Sequence, residues 1–135
     1  MNFDMKLLSA QHVFMFTLFL AFFPLDVMAQ EIQLLDSQEF QTAMETKRDI
    51  QLLDVRTPEE FANGHLKNAL NIDISQTTFI TEAEKLDLEK PIYLYCQSGK
   101  RSARAAIILK DIGFKEIYDM EGGFSNWDAN GFEKE

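Results

Sequence analysis

The chain alternates short apolar runs with segments in which apolar residues recur at helical spacing. The apolar runs are four to six residues long and are flanked by polar residues, proline or glycine. Runs of this kind are typical of buried strands, and their alternation with helices predicts an α/β fold with a parallel sheet and crossover helices. The predicted strands are Ile32 to Leu35, Ile50 to Val55, Ala69 to Ile72, Ile92 to Tyr95 and Lys115 to Tyr118.

Capping signals mark the beginnings of two helices. Asp36 and Glu39 have the spacing of a capping box, and Thr57, Pro58 and Glu60 supply an N-cap, a first-turn proline and a third-position glutamate. The remaining helices are predicted from apolar periodicity and from glycines at their ends. The predicted helices run from Asp36 or Ser37 to about Lys47, Thr57 to about Asn63, Gln76 to Leu86, Ser102 to Ile112 and Gly123 to Asn130.

The most informative stretch surrounds Cys96, the only cysteine in the chain. It reads P-I-Y-L-Y-C-Q-S-G-K-R-S from Pro91 to Ser102, so the thiol follows directly after a predicted buried strand. We expect Ser102 to cap the next helix and Gly113 to end it. Gln97 to Arg101 are then a tight loop between strand and helix, with Cys96 at its entrance.

This position predicts a reactive thiol. Backbone N–H groups of a short loop that leads into a helix converge on one point, where the helix dipole also favours negative charge. Cys96 at that point would be stabilised as a thiolate, Lys100 and Arg101 would add positive charge, and Gly99 would allow a left-handed backbone conformation. A strand-terminal cysteine is often an inert apolar residue, but the polar residues that follow it here favour an anion-binding nucleophile.

The first 29 residues are predicted to be a secretory signal peptide, and residues 30–135 a single domain. Val13 to Phe23 form an apolar run that ends at Pro24, and Val27 and Ala29 have the side chains expected before a cleavage site. A spanning helix needs about twenty apolar residues, so the prediction is export to the bacterial periplasm. Secretion, or membrane anchoring by a retained leader, is the alternative.

The net charge and the small number of cysteines and histidines argue against several classes of binding partner. The formal net charge of −9 disfavours nucleic acid and anionic membrane surfaces. With one cysteine and two histidines, one of them in the leader, the chain offers no histidine-based metal cluster and a composition that disfavours a zinc site, so no cofactor or metal is predicted. No intramolecular disulfide can form, so any persulfide or sulfenate on Cys96 needs an external thiol or another acceptor.

Further motifs stand in a fixed order around the cysteine loop. With C-Q-S-G-K-R-S, they resemble single-domain rhodanese-like sulfurtransferases from about Glu31 to Phe132. The resemblance implies an α/β rhodanese-like fold, with a central, mostly parallel sheet of about five strands and helices on both faces. The motifs are L-L-D-V-R-T-P-E-E-F at Leu52 to Phe61, G-H-L at Gly64 to Leu66, A-L-N-I at Ala69 to Ile72 and M-E-G-G-F-S-N-W at Met120 to Trp127.

The resemblance also implies an activity. Cys96 would take sulfur from a donor such as thiosulfate as a persulfide and pass it to cyanide or a small thiol. The protein acceptor, if there is one, is not implied. The residues of the loop that would bind the donor are Gln97, Ser98, Gly99, Lys100, Arg101 and Ser102.

For residues outside the loop, the sequence allows both a role at the site and a purely structural role. Asp54 and Arg56 follow a neighbouring predicted strand, and they could hold the loop by charge-assisted hydrogen bonds. Alternatively, Arg56 could pair with Glu59 or Glu60 and only fix the start of the next helix. His65 could take the thiol proton, but its G-H-L motif belongs to the framework in this family, so we expect a structural role.

Two alternatives to sulfurtransferase activity stay open. Phosphatases and arsenate reductases with a similar fold place the loop arginine one position further from the cysteine than Arg101 stands here, so the shorter loop favours sulfur over phosphate. A persulfide carrier or redox-sensing binding module without turnover is the other alternative.

The chain departs from the family pattern at one motif. Family members commonly read G-H-I-P-G-A, whereas this chain has Lys67 and Asn68 in place of the proline and the glycine. We expect Asn68 to adopt the left-handed conformation of the usual glycine.

Overall fold

The computed structural model of the protein describes residues 31–135, and the predicted leader lies outside them. Within this part of the chain the strands are β1 (Ile32–Leu35), β2 (Gln51–Asp54), β3 (Leu70–Asn71), β4 (Ile92–Tyr95) and β5 (Ile117–Met120). They form one five-stranded sheet in the order β1-β5-β4-β2-β3, and all neighbouring pairs are parallel. The predicted parallel α/β architecture is confirmed.

One helix lies between each pair of successive strands, as parallel pairing requires, and a fifth helix follows the last strand. They are α1 (Ser37–Thr46), α2 (Pro58–Ala62), α3 (Phe79–Ala83), α4 (Lys100–Ile112) and α5 (Gly123–Ala129). In residues 31–135, no helix combines the length and the apolar character needed to cross a membrane.

The sheet separates two apolar cores, because successive side chains of a strand point to opposite faces. In β4, Ile92 and Leu94 pack against α3 and α4, whereas Tyr93 and Tyr95 pack against α1 and α5. All four residues of β4 are buried. The central strand is therefore covered on both faces, which confirms the prediction of helices on both sides and holds the end of β4 rigidly.

Local signals in the sequence explain several element boundaries. The capping boxes of Asp36 with Glu39 and of Thr57 with Glu60 are both present. Gly113 ends α4 with a φ of 110°. Asn68 has a φ of 64°, so this asparagine adopts the left-handed conformation that was expected of it.

The start of α4 differs from the prediction. The helix begins at Lys100, with Gly99 as its N-cap at a φ of 104°, rather than at a Ser102 cap. The N–H of Ala103 already donates to the carbonyl of Gly99, at 3.1 Å. Lys100 and Arg101 therefore lie in the first turn of the helix, and the connecting loop is shorter than Gln97 to Arg101.

Two further boundaries were predicted wrongly. The helix α3 is shorter than Gln76 to Leu86, because the preceding residues form turns in which the N–H groups of Gln76 and Phe79 donate to carbonyls three residues earlier. The strand β5 begins at Ile117 rather than at Lys115, whose N–H instead donates to the carbonyl of Leu88. The first error lies where turn hydrogen bonds replace the helical pattern, and the second lies where a hydrogen bond to a distant part of the chain replaces pairing in the sheet.

Candidate active site

Cys96 lies at the carboxyl end of β4, near the middle of the sheet. Its side chain is free, and the residue is 1% exposed. The neighbouring strand β2 ends beside it, since the N–H of Val55 donates to the carbonyl of Tyr95 at 3.1 Å. In open parallel sheets, binding sites form at this edge.

The sulfur of Cys96 receives a backbone hydrogen bond. The N–H of Gly99 donates to Sγ at 3.0 Å. Its φ of 104° lets Gly99 turn this N–H toward the sulfur, and the N-terminus of the 13-residue helix α4 begins at the next residue. Both features stabilise negative charge on the sulfur.

The carbonyl groups of the loop are bound on its other side, by the N-terminus of α5. The N–H of Phe124 donates to the carbonyl of Cys96 at 2.8 Å, and the N–H of Ser125 donates to that of Gln97 at 3.0 Å. A Cβ on Gly123 would lie 2.4 Å from the carbonyl oxygen of Cys96, so only glycine permits this approach. The sequence predicted a helix that begins at Gly123 but not this support of the loop.

Arg56 and Asp54 form a buried ion pair under the loop. Arg56 is 1% exposed, and its Nη2 lies 2.7 Å from Oδ2 of Asp54. Nη2 also donates to the carbonyl of Gly64 at 2.7 Å, and Nη1 donates to Oε1 of Gln97 at 3.1 Å. Burial opposes the charge of Arg56, but the hydrogen bonds and charge of Asp54 outweigh it and raise the pKa of Arg56. Arg56 thus reaches the loop and does not pair with a glutamate of α2.

Gln97 links this ion pair to α5. Its side-chain amide accepts from Arg56 and donates to the hydroxyl of Ser125 at 3.0 Å. The guanidinium of Arg56 also lies 4.2 Å above the ring of Phe124. Gln97 therefore holds the loop to the buried ion pair and to α5, and its predicted contact with the donor stays a prediction.

Glu60 neutralises Arg101. Two hydrogen bonds join them, from Nη1 to Oε2 at 2.8 Å and from Nη2 to Oε1 at 2.7 Å. Hydrogen bonding to Arg101 is the largest cause that lowers the pKa of Glu60 to about 2. The pKa of Arg101 is raised, chiefly by its hydrogen bonds to Glu60. Arg101 is thus paired with a carboxylate in the structure, and its predicted contact with the donor stays a prediction.

The other loop residues divide into exposed and buried groups. Ser98 and Lys100 are exposed, and Lys100 has no ion-pair partner among residues 31–135. Ser102 is fully buried, and its hydroxyl donates to the carbonyl of Gly99 at 3.2 Å. Lys100 is therefore the loop cation available to an incoming anion, while Ser102 holds the loop from inside.

His65 is not part of the cysteine site. Its ring stacks on Phe61 at 3.7 Å between centroids, and Nδ1 lies 2.9 Å from the carbonyl oxygen of Phe61. Its backbone exchanges two hydrogen bonds with Glu135, both at 2.8 Å. These contacts agree with the expected framework role and leave no imidazole for the thiol.

The sequence and fold of the chain match those of known proteins. Residues 36–130 match the model of the Rhodanese family, described as a rhodanese-like domain. The chain is 46% identical over 80 residues to the Bacillus subtilis protein YqhL, which covers 59% of this chain and 62% of that protein, less than two thirds of its length. It is 39% identical over 84 residues to thiosulfate sulfurtransferase GlpE of Coxiella burnetii, covering 62% of this chain and 77% of that enzyme.

A solved structure has the same fold. The rhodanese-related protein of Thermoplasma volcanium superposes with a TM-score of 0.67 at 27% sequence identity, covering 76% of this chain and 97% of that one. The family match spans all but the first strand of the sheet and includes Cys96 and its supports. The chain therefore belongs to the rhodanese-like domain family.

Proposed function

We propose that the protein is a sulfurtransferase that carries sulfur on Cys96, with thiosulfate as a donor. The observation that carries the proposal is the N–H of Gly99 directed at Sγ from 3.0 Å, at the N-terminus of α4. A backbone donor and a helix dipole stabilise a thiolate and equally the anionic outer sulfur of a persulfide. The similarity to GlpE proteins, which are named thiosulfate sulfurtransferases, supports the same choice of donor.

Sulfur transfer at this site takes two steps, loading of Cys96 and transfer to an acceptor. The thiolate of Cys96 attacks the outer sulfur of thiosulfate, so that an S–S bond forms at the enzyme, the S–S bond of thiosulfate breaks, and sulfite leaves with the electron pair. Cyanide then attacks the outer sulfur of the persulfide, thiocyanate leaves and the thiolate is regenerated; a thiolate acceptor would leave as a persulfide instead. Because the chain has no second cysteine, the acceptor comes from outside.

Intact mass spectrometry tests this proposal. Incubation with thiosulfate should add about 32 Da, one sulfur atom, and cyanide should remove it. Cys96→Ser should show no gain while it remains folded. Persistent loading that no acceptor removes would favour a persulfide carrier. Absence of loading by thiosulfate, combined with hydrolysis of a small aryl phosphate, would overturn sulfur transfer in favour of a phosphatase.

We further propose that the leader is cleaved after Ala29 and that the domain works in the periplasm. The apolar run from Val13 to Phe23 and the side chains of Val27 and Ala29 support this. The protein recovered from the periplasmic fraction of a bacterial host should have the intact mass of a chain that begins at Gln30. A full-length mass in the membrane fraction would contradict cleavage and indicate an anchor.

A further inference from the structure

Asp119 is a buried carboxyl group that the proposed sulfur transfer does not use. It lies in β5, is 2% exposed, and its Oδ1 has no hydrogen-bond partner within residues 31–135. In the sheet it lies opposite Leu94 of β4, two residues before Cys96. A buried carboxyl oxygen without a partner is costly, and such groups are concentrated at functional sites.

The surroundings of Asp119 hold no compensating cation within residues 31–135. On α4 it faces the hydroxyl of Ser102, while Arg101 of the same turn is paired with Glu60. The tyrosines on either side of Leu94, Tyr93 and Tyr95, belong to the other face of the sheet, so the nearest titratable group of β4 on the same face as Leu94 is the Cys96 thiol. The strand β1 places an apolar leucine opposite Asp119. Burial raises the pKa of Asp119 to about 6, and the hydroxyl of Ser102 and the N–H of Met120 lower it only in part.

Two hydrogen bonds connect this region to the nucleophile. The hydroxyl of Ser102 donates to the carbonyl of Gly99 at 3.2 Å, and the N–H of Gly99 donates to Sγ of Cys96 at 3.0 Å. A hydroxyl has one proton to donate, so Ser102 cannot serve both Gly99 and an ionised Asp119. Hydrogen bonds to a charged acceptor are stronger than those to a neutral one. When Asp119 is ionised, the hydroxyl of Ser102 therefore donates to its carboxylate, and the hydrogen bond from Ser102 to the carbonyl of Gly99 is lost.

We propose that Asp119 is a positioning residue of the cysteine loop, which it controls through Ser102 and Gly99 according to its own protonation. Protonated Asp119 leaves Ser102 bound to Gly99 and the loop ordered around Cys96. Ionised Asp119 loosens Gly99 and adds a negative charge behind a site that must hold an anionic sulfur. The proposal rests on the proposed function for its substrate, but not for its chemistry.

The pH profile of Asp119→Asn tests the proposal. Asparagine keeps the size of the side chain and a donor for Ser102 but cannot ionise. The second-order rate of sulfur loading by thiosulfate is measured for both proteins from about pH 5 to about pH 8. The ratio of variant to wild type should rise by roughly tenfold through about pH 6 and then level off, since the penalty appears only when Asp119 is charged. A ratio that does not change with pH overturns the proposal.

Controls separate the route from a general effect of charge or folding. Asp49→Asn removes the same charge from an exposed turn and should give a flat ratio. In a Ser102→Ala background, Asp119→Asn should no longer produce the step, and a step that persists there overturns the route through Ser102. Unfolding midpoints at each pH identify any variant that is not folded, and Asp119→Ser is a second neutral variant that should reproduce the step.

A readout independent of sulfur transfer keeps this proposal distinct from the proposed function. Alkylation of Cys96 by the neutral reagent iodoacetamide depends on the thiolate and its loop but needs no sulfur donor. If thiosulfate loads none of the proteins while alkylation shows the step near pH 6, the proposed function fails and the role of Asp119 stands. If loading is normal and neither readout shows a step, the role of Asp119 fails alone.

Discussion

At the scale of single residues, the charge of Arg101 is offset by a carboxylate that lies far from it in the sequence. The sequence places a fixed cation five residues after the nucleophile, but Glu60 of α2, 41 positions earlier, binds both of its terminal nitrogens. The pKa of Glu60 is lowered to about 2, so the stabilisation from this pair is complete above the ordinary pKa near 4.5 and is lost only as pH falls toward 2. At neutral pH, Glu60 limits the positive charge that a dianionic donor meets.

Glu60→Gln should therefore improve donor binding. The substitution keeps the shape of the side chain and frees the charge of Arg101, so KM for thiosulfate should fall about three- to tenfold with little change in kcat. The weakened cap of α2 should reduce stability by about 1 kcal/mol. Steady-state kinetics with thiosulfate and thermal unfolding measure the two effects.

Glu59→Gln is the matched control for this prediction. It removes the same charge from the same helical turn, but Glu59 is exposed and makes no ion pair within residues 31–135. Its KM should remain near the wild-type value. Equal effects of the two substitutions would mean that net charge, and not the release of Arg101, sets donor affinity.

Among the elements, α5 contributes to the site without supplying a reacting group. Its first N–H groups bind the carbonyls of Cys96 and Gln97, and Gly123 is the residue that lets them approach. This arrangement directs the carbonyls of the loop toward α5, away from an incoming anion. We therefore expect the position of α5 to control the geometry of the cysteine loop.

Gly123→Ala tests the role of α5. Its Cβ would meet the carbonyl oxygen of Cys96 at 2.4 Å and its φ of 59° is unfavourable for alanine, so the loop must shift. We expect sulfur loading to slow by more than about tenfold and stability to fall by about 1–3 kcal/mol. Loading followed by intact mass and unfolding in denaturant provide the two values.

Gly131→Ala provides the comparison, because it carries the strain without the contact. Gly131 has a φ of 72°, and a Cβ at this residue would meet no other part of the described chain within 4 Å. The backbone strain should lower the free energy of unfolding of this variant by a similar amount, while its rate of sulfur loading stays at the wild-type value. If Gly123→Ala also kept its loading rate, contact between α5 and the loop would not determine the geometry of the site.

The elements were predictable to the extent that their causes are local. Capping boxes, left-handed glycines and apolar runs act within a few residues, and they gave five strands and five helices in the right order within residues 31–135. The start of α4 was wrong because Gly99 is the N-cap, and the hydroxyl of Ser102 lies inside the first turn and donates to the carbonyl of Gly99 instead of capping the helix. The partners of Arg101, Gln97 and Arg56 depend on which strands become neighbours, which local patterns do not specify.

For the whole molecule, charge opposes the proposed donor. The chain has a formal net charge of −9, whereas thiosulfate is a dianion. Arg56 and Arg101 are both paired with carboxylates, which leaves Lys100 as the cation of the loop without an ion-pair partner among residues 31–135. Long-range repulsion should thus outweigh local attraction during the approach of the donor.

Salt should therefore accelerate sulfur loading. Raising the ionic strength from about 0.02 M to about 0.2 M shortens the screening length to below about 10 Å, so kcat/KM for thiosulfate should rise about two- to fivefold. Alkylation of Cys96 by neutral iodoacetamide should not change over the same range. A fall of kcat/KM with salt would contradict this prediction and show that local cations dominate.

Lys100 defines the local part of this balance. Lys100→Gln should lower kcat/KM at every salt concentration and make the rise with salt steeper, because it removes the attraction that partly offsets the repulsion. Lys110→Gln, at the opposite end of α4, changes the net charge equally and should leave the profile close to that of the wild type. If the two variants had the same profile, the donor would respond to the charge of the whole molecule alone, and the loop would select its anion through backbone N–H groups rather than through Lys100.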